Sequence, residues 1–125
     1  MRGLLIDVKN SKVEAVERED DFELQDYYDM LDCDYIDIVC RKIGERYYDI
    51  VCDDEGLLKA GCKVSAVDSE YCTMLVGNLF IRGLARDGEM TNLTIPDINY
   101  IAKKIRFVST AEYPEGYWIL TQLDY

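Results

Sequence analysis

Short runs of alternating apolar and polar residues fill the amino-terminal third of the chain, broken by one stretch with helical spacing. Gly3 to Val8 predicts an apolar strand and Val13 to Glu17 its partner, joined through Lys9-Asn10-Ser11-Lys12. Asn tolerates positive φ, so Asn10-Ser11 suits a tight turn and the two runs read as a β-hairpin. Leu24, Tyr27, Tyr28 and Leu31 then recur at i, i+3, i+4 and i+7, one face of a helix. Asp20 is the expected N-cap and Glu23, three residues on, completes a capping-box pair. Asp26 and Asp29 point away from the apolar face; Phe22 lies either near them or, the preferred reading, as a staple at the helix start. Burial of the four apolar-face residues is worth roughly 6–12 kcal/mol before the entropy of ordering, enough to dock the helix on a sheet.

The next pattern repeats itself. Ile36-Asp37-Ile38-Val39-Cys40 and Tyr48-Asp49-Ile50-Val51-Cys52 share Asp-Ile-Val-Cys at a spacing of twelve residues. Two strands joined by Gly44-Glu45 account for the echo, because Gly suits the first position of a II′ turn. A two-residue loop there sets Cys40 opposite Asp49 and Asp37 opposite Cys52. Ile36, Ile38, Cys40 and Val51 then share one face, and Val39, Ile50 and Cys52 the other. Cys40 and Cys52 point to opposite sides and cannot bridge. Apolar residues on both faces predict a central place in the sheet, covered on each side.

Further on, Leu57-Leu58-Lys59 suggests a short turn or helix, Val64 to Val67 a brief strand or an extended loop, and Met74 to Arg82 a stronger strand in which Gly77 suggests a bulge or a close backbone approach. Gly83 to Met90 reads as a polar loop. Thr94, Pro96 and Asp97 signal a helix start. Ile98, Ile101, Ala102 and Ile105 supply its apolar stripe, and Lys103, Lys104 and Arg106 suit the negative end of its dipole. Phe107 to Glu112 and Tyr117 to Leu123 flank Tyr113-Pro114-Glu115-Gly116, a type I turn pattern, and predict a terminal hairpin. The fold class expected is α+β, a mainly antiparallel sheet of hairpins carrying two amphipathic helices, in one domain spanning residues 1–125.

Charge changes this picture from architecture to partners. Of the 125 residues, 25 are acidic and 14 basic, a net charge of −11. Residues 14–37 hold eleven of the acids against Arg18 alone, nearly the whole excess. Such a run is either a solvated helix with its turns or a surface that meets a basic partner, and it repels nucleic acid and anionic membrane. No apolar run approaches the roughly 20 residues of a membrane span. The amino terminus lacks the h-region of a secretion signal. The five cysteines form no C-x-x-C pair and are odd in number, so reduced thiols in a cytosol are expected, with Cys40 and Cys52 buried as small hydrophobes.

The chain resembles a family of small proteins that carry a domain of unknown function and occur in phages, plasmids and gut-associated Firmicutes. The resemblance spans about residues 3–105. It is carried by Ile36-Asp37-Ile38-Val39 through Arg41-Lys42-Ile43-Gly44, by Tyr48-Asp49-Ile50-Val51 into Asp53-Asp54-Glu55-Gly56-Leu57-Leu58, by Val76-Gly77-Asn78-Leu79-Phe80-Ile81, and by Leu93-Thr94 with the helix from Asp97. The hairpin at 107–123 looks like an addition to the family pattern. The family transfers no catalytic residue. It implies a context, that of an accessory protein of a mobile element in a bacterial cytoplasm.

The residue inventory narrows the chemistry. The sequence has no histidine, which removes histidine-dependent triads and the commonest metal ligand. Neither a Gly-rich phosphate loop nor an EF-hand appears; Asp53-Asp54-Glu55 reads as a solvated turn. No cofactor, metal site or catalytic residue is expected. Two binding readings remain. In the first, a non-enzymatic interaction protein presents Glu17, Glu19, Asp20, Asp21, Glu23, Asp26 and Asp29 as phosphate mimics to a basic, nucleic-acid-binding host protein, as an anti-CRISPR or anti-restriction inhibitor would. In the second, Arg41 opposite Tyr48 forms a stacking surface for a small ligand such as a nucleotide signal, at an interface of a homo-oligomer. The first is the expected function.

Overall fold

The computed structural model describes residues 1–56 and 61–125; the predicted turn at 57–59 lies outside the described residues. The fold is α+β, as the hydrophobic pattern predicts. Its larger sheet begins with the opening hairpin, β1 (Arg2–Asp7) and β2 (Lys12–Glu17), in register from Arg2 opposite Glu17 to Asp7 opposite Lys12.

Helix α1 (Leu24–Leu31) starts three residues later than its sequence signals suggest. Glu23 is the N-cap, and the Asp26 carboxylate accepts its backbone N–H (2.7 Å). The reason lies in Phe22. Outside the helix it packs on Tyr27 one turn in (ring centroids 6.2 Å) and edge-on against Phe80 (4.9 Å). This is the hydrophobic staple, and a helix begun at Asp20 would swing Phe22 off that contact. The buried stripe is also narrower than predicted. Tyr27 and Leu31 are buried, Tyr28 is half-buried, and Leu24 is 54% exposed.

Strands β3 (Ile36–Ile43) and β4 (Arg46–Asp53) pair in the register the two-residue turn demands, with Cys40 opposite Asp49 and Asp37 opposite Cys52. Gly44 takes φ +61°, as the first turn position requires, and a side chain there would meet the Tyr100 hydroxyl at 2.3 Å. Strand β4 is buried on both faces. Val51 joins Leu5, Phe80, Phe22, Tyr27 and Leu31 beneath α1, while Ile50 and Cys52 face the larger core. Cys40 departs from its expected burial and is exposed. It lies on β3 near the sheet edge, beyond the reach of α1, which sits over β1, β4 and β7.

The predicted strand from Met74 to Arg82 is two strands in two sheets. Strand β6 (Thr73–Val76) pairs with β5 (Val64–Val67), and β7 (Leu79–Arg86) lies between β4 and β1. Gly77 (φ +76°) and Asn78 make the crossing. The buried Asn78 side chain accepts the Val8 N–H (2.9 Å) and donates to the Met30 carbonyl (3.2 Å), tying three segments together. The expected polar loop is a hairpin instead. Strand β7 runs on to Arg86 and returns as β8 (Glu89–Thr91) through Asp87-Gly88, both at positive φ.

Helix α2 (Ile95–Ala102) follows its predicted cap, with Thr94 accepting the Asp97 N–H (3.2 Å). Ile105 belongs to β9 (Ile105–Val108), which pairs with β10 (Tyr117–Leu120); a terminal hairpin forms, but residues 109–112, expected in its first strand, lie outside it, and Val108 rather than Glu112 stands opposite Tyr117. The two-residue β11 (Leu123–Asp124) lies against Ile43 and Lys42. The larger sheet has the order β11-β3-β4-β7-β1-β2 with β8 beside β7, and the smaller β6-β5-β10-β9. Among the described residues one parallel pair, β5 with β10, interrupts the antiparallel pattern. The larger core is filled from both sheets, with Ile101 of α2 buried in it. Among the described residues no helix is long and apolar enough to cross a membrane.

Candidate functional site

The seven predicted partner-binding acids do not share one face. Val16 packs into the cluster under α1, so neighbouring Glu17 points to the other side of the sheet, where its carboxylate pairs with Arg2. Glu19, Asp20 and Asp21 lie on the exposed segment that leads into α1. Asp21 pairs with Arg82 (3.1 Å). Glu23 and Asp26 cap the helix, and Asp26 also pairs with Arg18. Asp29 faces solvent and accepts from Gln25 (2.9 Å). Beyond the seven, Glu14 pairs with Lys12 (3.4 Å) and Asp32 with Lys9.

Folding thus brings Arg2, Lys9, Lys12 and Arg82 onto the acidic segment and reduces its formal −10 to −6. The surplus persists in weakened form. Glu19, Asp20, Asp29 and Asp34 are exposed and form no ion pair among the described residues. Asp29, Asp32 and Asp34 rim an open groove of about 720 Å³ whose floor includes the half-buried Tyr28. Sequence reasoning missed this groove, although Asp32 and Asp34 lie in the acidic run. Sequence alone could not show that the end of α1 folds back beside Lys9.

Arg41 and Tyr48 do stand opposite each other on β3 and β4, yet they do not form a common stacking surface. The Arg41 guanidinium lies over Tyr125 (4.7 Å). Tyr48 is buried and its hydroxyl donates to Asp97 (2.6 Å). That carboxylate also takes Thr94 (2.7 Å) and Arg46 (3.1 Å), and Arg46 stacks on Tyr100 (4.2 Å). The cluster pins α2 to the β3–β4 hairpin.

Burial opposes the Asp97 charge, but the hydrogen bonds from Tyr48, Thr94 and Arg46 outweigh it and hold the carboxyl below its usual range. Burial first, then the bond to Asp97, pushes the Tyr48 hydroxyl well above the usual tyrosine range. A lowered carboxyl stabilises the fold above its unfolded value near 4, and that contribution is lost as pH falls through the folded value. A raised phenol stabilises below its unfolded value of about 10, and that contribution is lost as pH climbs past it. The contribution of this pair to the urea midpoint is therefore expected to be flat between about pH 4 and about pH 10 and to decline on both sides. Asp97→Asn should make the acid limb shallower and Tyr48→Phe the alkaline limb. Unchanged slopes in both variants would show that the pair does not set them.

The remaining chemistry is sparse. Asp53 accepts the Glu55 N–H (2.9 Å), which closes the turn. Among the described residues no three Cys, Asp or Glu side chains group closely enough to hold a metal ion. Cys40, Cys62 and Cys72 are exposed, whereas Cys33 and Cys52 are buried. Burial, then the Asp37 charge, lifts the Cys52 thiol to about 11, which leaves it protonated and unreactive.

No curated protein and no solved structure matches the chain. One family does, described as a domain of unknown function (DUF3846), and it matches residues 1–106. The match takes in the opening hairpin, α1, the β3–β4 hairpin and α2, and it stops within β9. With most of its length inside that match, the chain belongs to the DUF3846 family.

Proposed function

We propose that this is a non-enzymatic interaction protein, encoded by a phage or plasmid and acting in the bacterial cytoplasm, that binds a basic nucleic-acid-acting host protein through its acidic face. The observation that supports it is the residual −6 around α1 after the ion pairs among the described residues are counted, with Glu19, Asp20, Asp29 and Asp34 left exposed. Carboxylates so placed stand in for phosphates and recruit the same Lys and Arg that a nuclease uses to hold DNA. An anti-CRISPR or anti-restriction inhibitor works on this logic.

Salt tests it. Affinity for a purified basic nuclease should fall roughly tenfold or more between about 50 and about 200 mM salt, and DNA should compete for the same site. Changing Glu19, Asp20, Asp29 and Asp34 together to their amides should remove most of the salt dependence. A binding curve that ignores salt, or DNA that does not compete, would sink the mimic.

A further inference from the structure

The larger sheet has two outer edges, and they are finished differently. The two-residue turn makes Ile43 and Arg46 the pair that exchanges hydrogen bonds, so Ile36, Ile38 and Cys40 turn their backbone groups outward from β3. That edge is guarded. The Asp37 carboxylate accepts the Ile38 N–H (2.9 Å), Arg41 donates to the Cys40 carbonyl (2.9 Å), and β11 covers Lys42 and Ile43.

The opposite edge is β2. The Arg18 N–H donates to the Met1 carbonyl (2.8 Å) and the Met1 amine to the Arg18 carbonyl, which fixes the phase of this ladder. Gly3–Val16, Leu5–Glu14 and Asp7–Lys12 are then exchange pairs, and Val13, Ala15 and Glu17 turn their N–H and C=O groups away from β1. Arg2 agrees with this phase, since its own backbone groups bond Asn92 and Leu93 on the far side. No strand lies beyond β2 among the described residues, and Ala15 and Glu17 are exposed. Three donors and three acceptors stand in a row with no strand paired to them among the described residues.

We infer that β2 is a docking edge on which an extended basic segment of the partner adds as a further strand. The inference rests on the proposed function and names how that surface is engaged. Charge selects the occupant. Glu14 and Glu17, paired with Lys12 and Arg2 within the chain, lie on the strand. Glu19 and Asp20, unpaired among the described residues, lie just beyond it, so the edge and the segment after it carry a net negative charge that a basic strand complements and a second copy only doubles. A strand with lysines three apart would place one beside Glu14 and one beside Glu17, while its backbone completes the ladder.

The experiment is amide hydrogen exchange on the full chain at low salt, with and without the capped peptide Thr-Lys-Val-Val-Lys-Thr in excess. Exchange of the Ala15 and Glu17 amides should slow roughly tenfold or more, while Glu14 and Val16, already bonded to β1, stay unchanged. The same peptide N-methylated at alternate residues keeps its charge but cannot complete the ladder, and it should protect neither amide. In Ala15→Pro, which removes one outward donor, the unmethylated peptide should bind more weakly. If the N-methylated peptide binds as tightly as its parent and Ala15 stays unprotected, strand addition is wrong while the acidic-face reading stands. If neither peptide nor the basic nuclease binds, both are wrong. Protection that appears without peptide, together with dimerisation, would give the edge to a second copy and overturn the inference.

Discussion

Deleting residues 107–125 is expected to leave a chain that no longer unfolds cooperatively. The family match ends at Arg106, and from sequence the following hairpin looks like an addition. In the fold it is structural. Tyr117, Ile119, Leu120 and Leu123 are each at most 4% exposed within the larger core, where they pack with Ile43, Ala66 and Ile105. Among the described residues strand β10 is the only neighbour of β5 other than β6, and β11 closes the end of β3. Four such side chains account for roughly 6–12 kcal/mol of burial, an upper estimate because the unfolded chain is itself partly compact. Total stability for a domain of this size is about 5–15 kcal/mol, so the loss matches the whole. Far-UV circular dichroism in urea and amide dispersion by NMR report the result without needing Trp118, which the deletion removes. A truncated chain with a sharp transition and dispersed amides would show that the matched segment folds alone. Leu123→Ala is the graded version and should cost about 2–5 kcal/mol.

Local chemistry was legible where a turn or cap fixed it. Gly44-Glu45 set the β3–β4 register to the residue, and Thr94 with Asp97 set the start of α2. The misreadings came where distant contacts decide. From Met74 to Arg82 the apolar pattern runs unbroken through Gly77-Asn78, and what splits it is the Asn78 side chain reaching Val8 and Met30. Asp87-Gly88 is a hairpin signal, but the polar residues around it lack the apolar alternation that marks strands. The candidate site divides the same way. The acidic run is visible in sequence, but the cations that partly neutralise it come from Arg2, Lys9, Lys12 and Arg82, and Arg82 ends an apolar stretch with nothing to mark its partner.

Arg82 is the place where the acidic segment and the core meet, and Arg82→Ala should destabilise the fold by about 3–5 kcal/mol. The side chain is 1% exposed. It donates to the Tyr27 hydroxyl (2.8 Å) and the Met90 carbonyl (3.4 Å), pairs with Asp21 (3.1 Å) and lies over the Phe22 ring (5.0 Å). Its Nε is buried without a partner, so the guanidinium is incompletely satisfied as it stands. Truncation leaves a cavity beneath α1 and an orphaned phenol at Tyr27. Asp21 is half exposed and returns to water, so the loss is smaller than for a fully buried pair. Arg82→Met retains most of the packing and should cost only about 1–3 kcal/mol, the price of the unpaired Tyr27 hydroxyl. Adding Tyr27→Phe to Arg82→Met should then recover part of that loss, since no buried polar group is left wanting. Urea melts of the three variants decide it. If Tyr27→Phe deepens the loss in the Arg82→Met background, the hydroxyl has another role. If Arg82→Ala melts like the unaltered chain, the guanidinium does not hold α1 in place. Both Arg82 variants strip the loop at Asp21 and Phe22 of its ion pair and its stacked cation, and Arg82→Ala also removes the packing beneath it. In Arg82→Ala, binding through the acidic face should therefore weaken along with stability, whereas Arg82→Met, with Phe22 still packed on Phe80, should keep more of it.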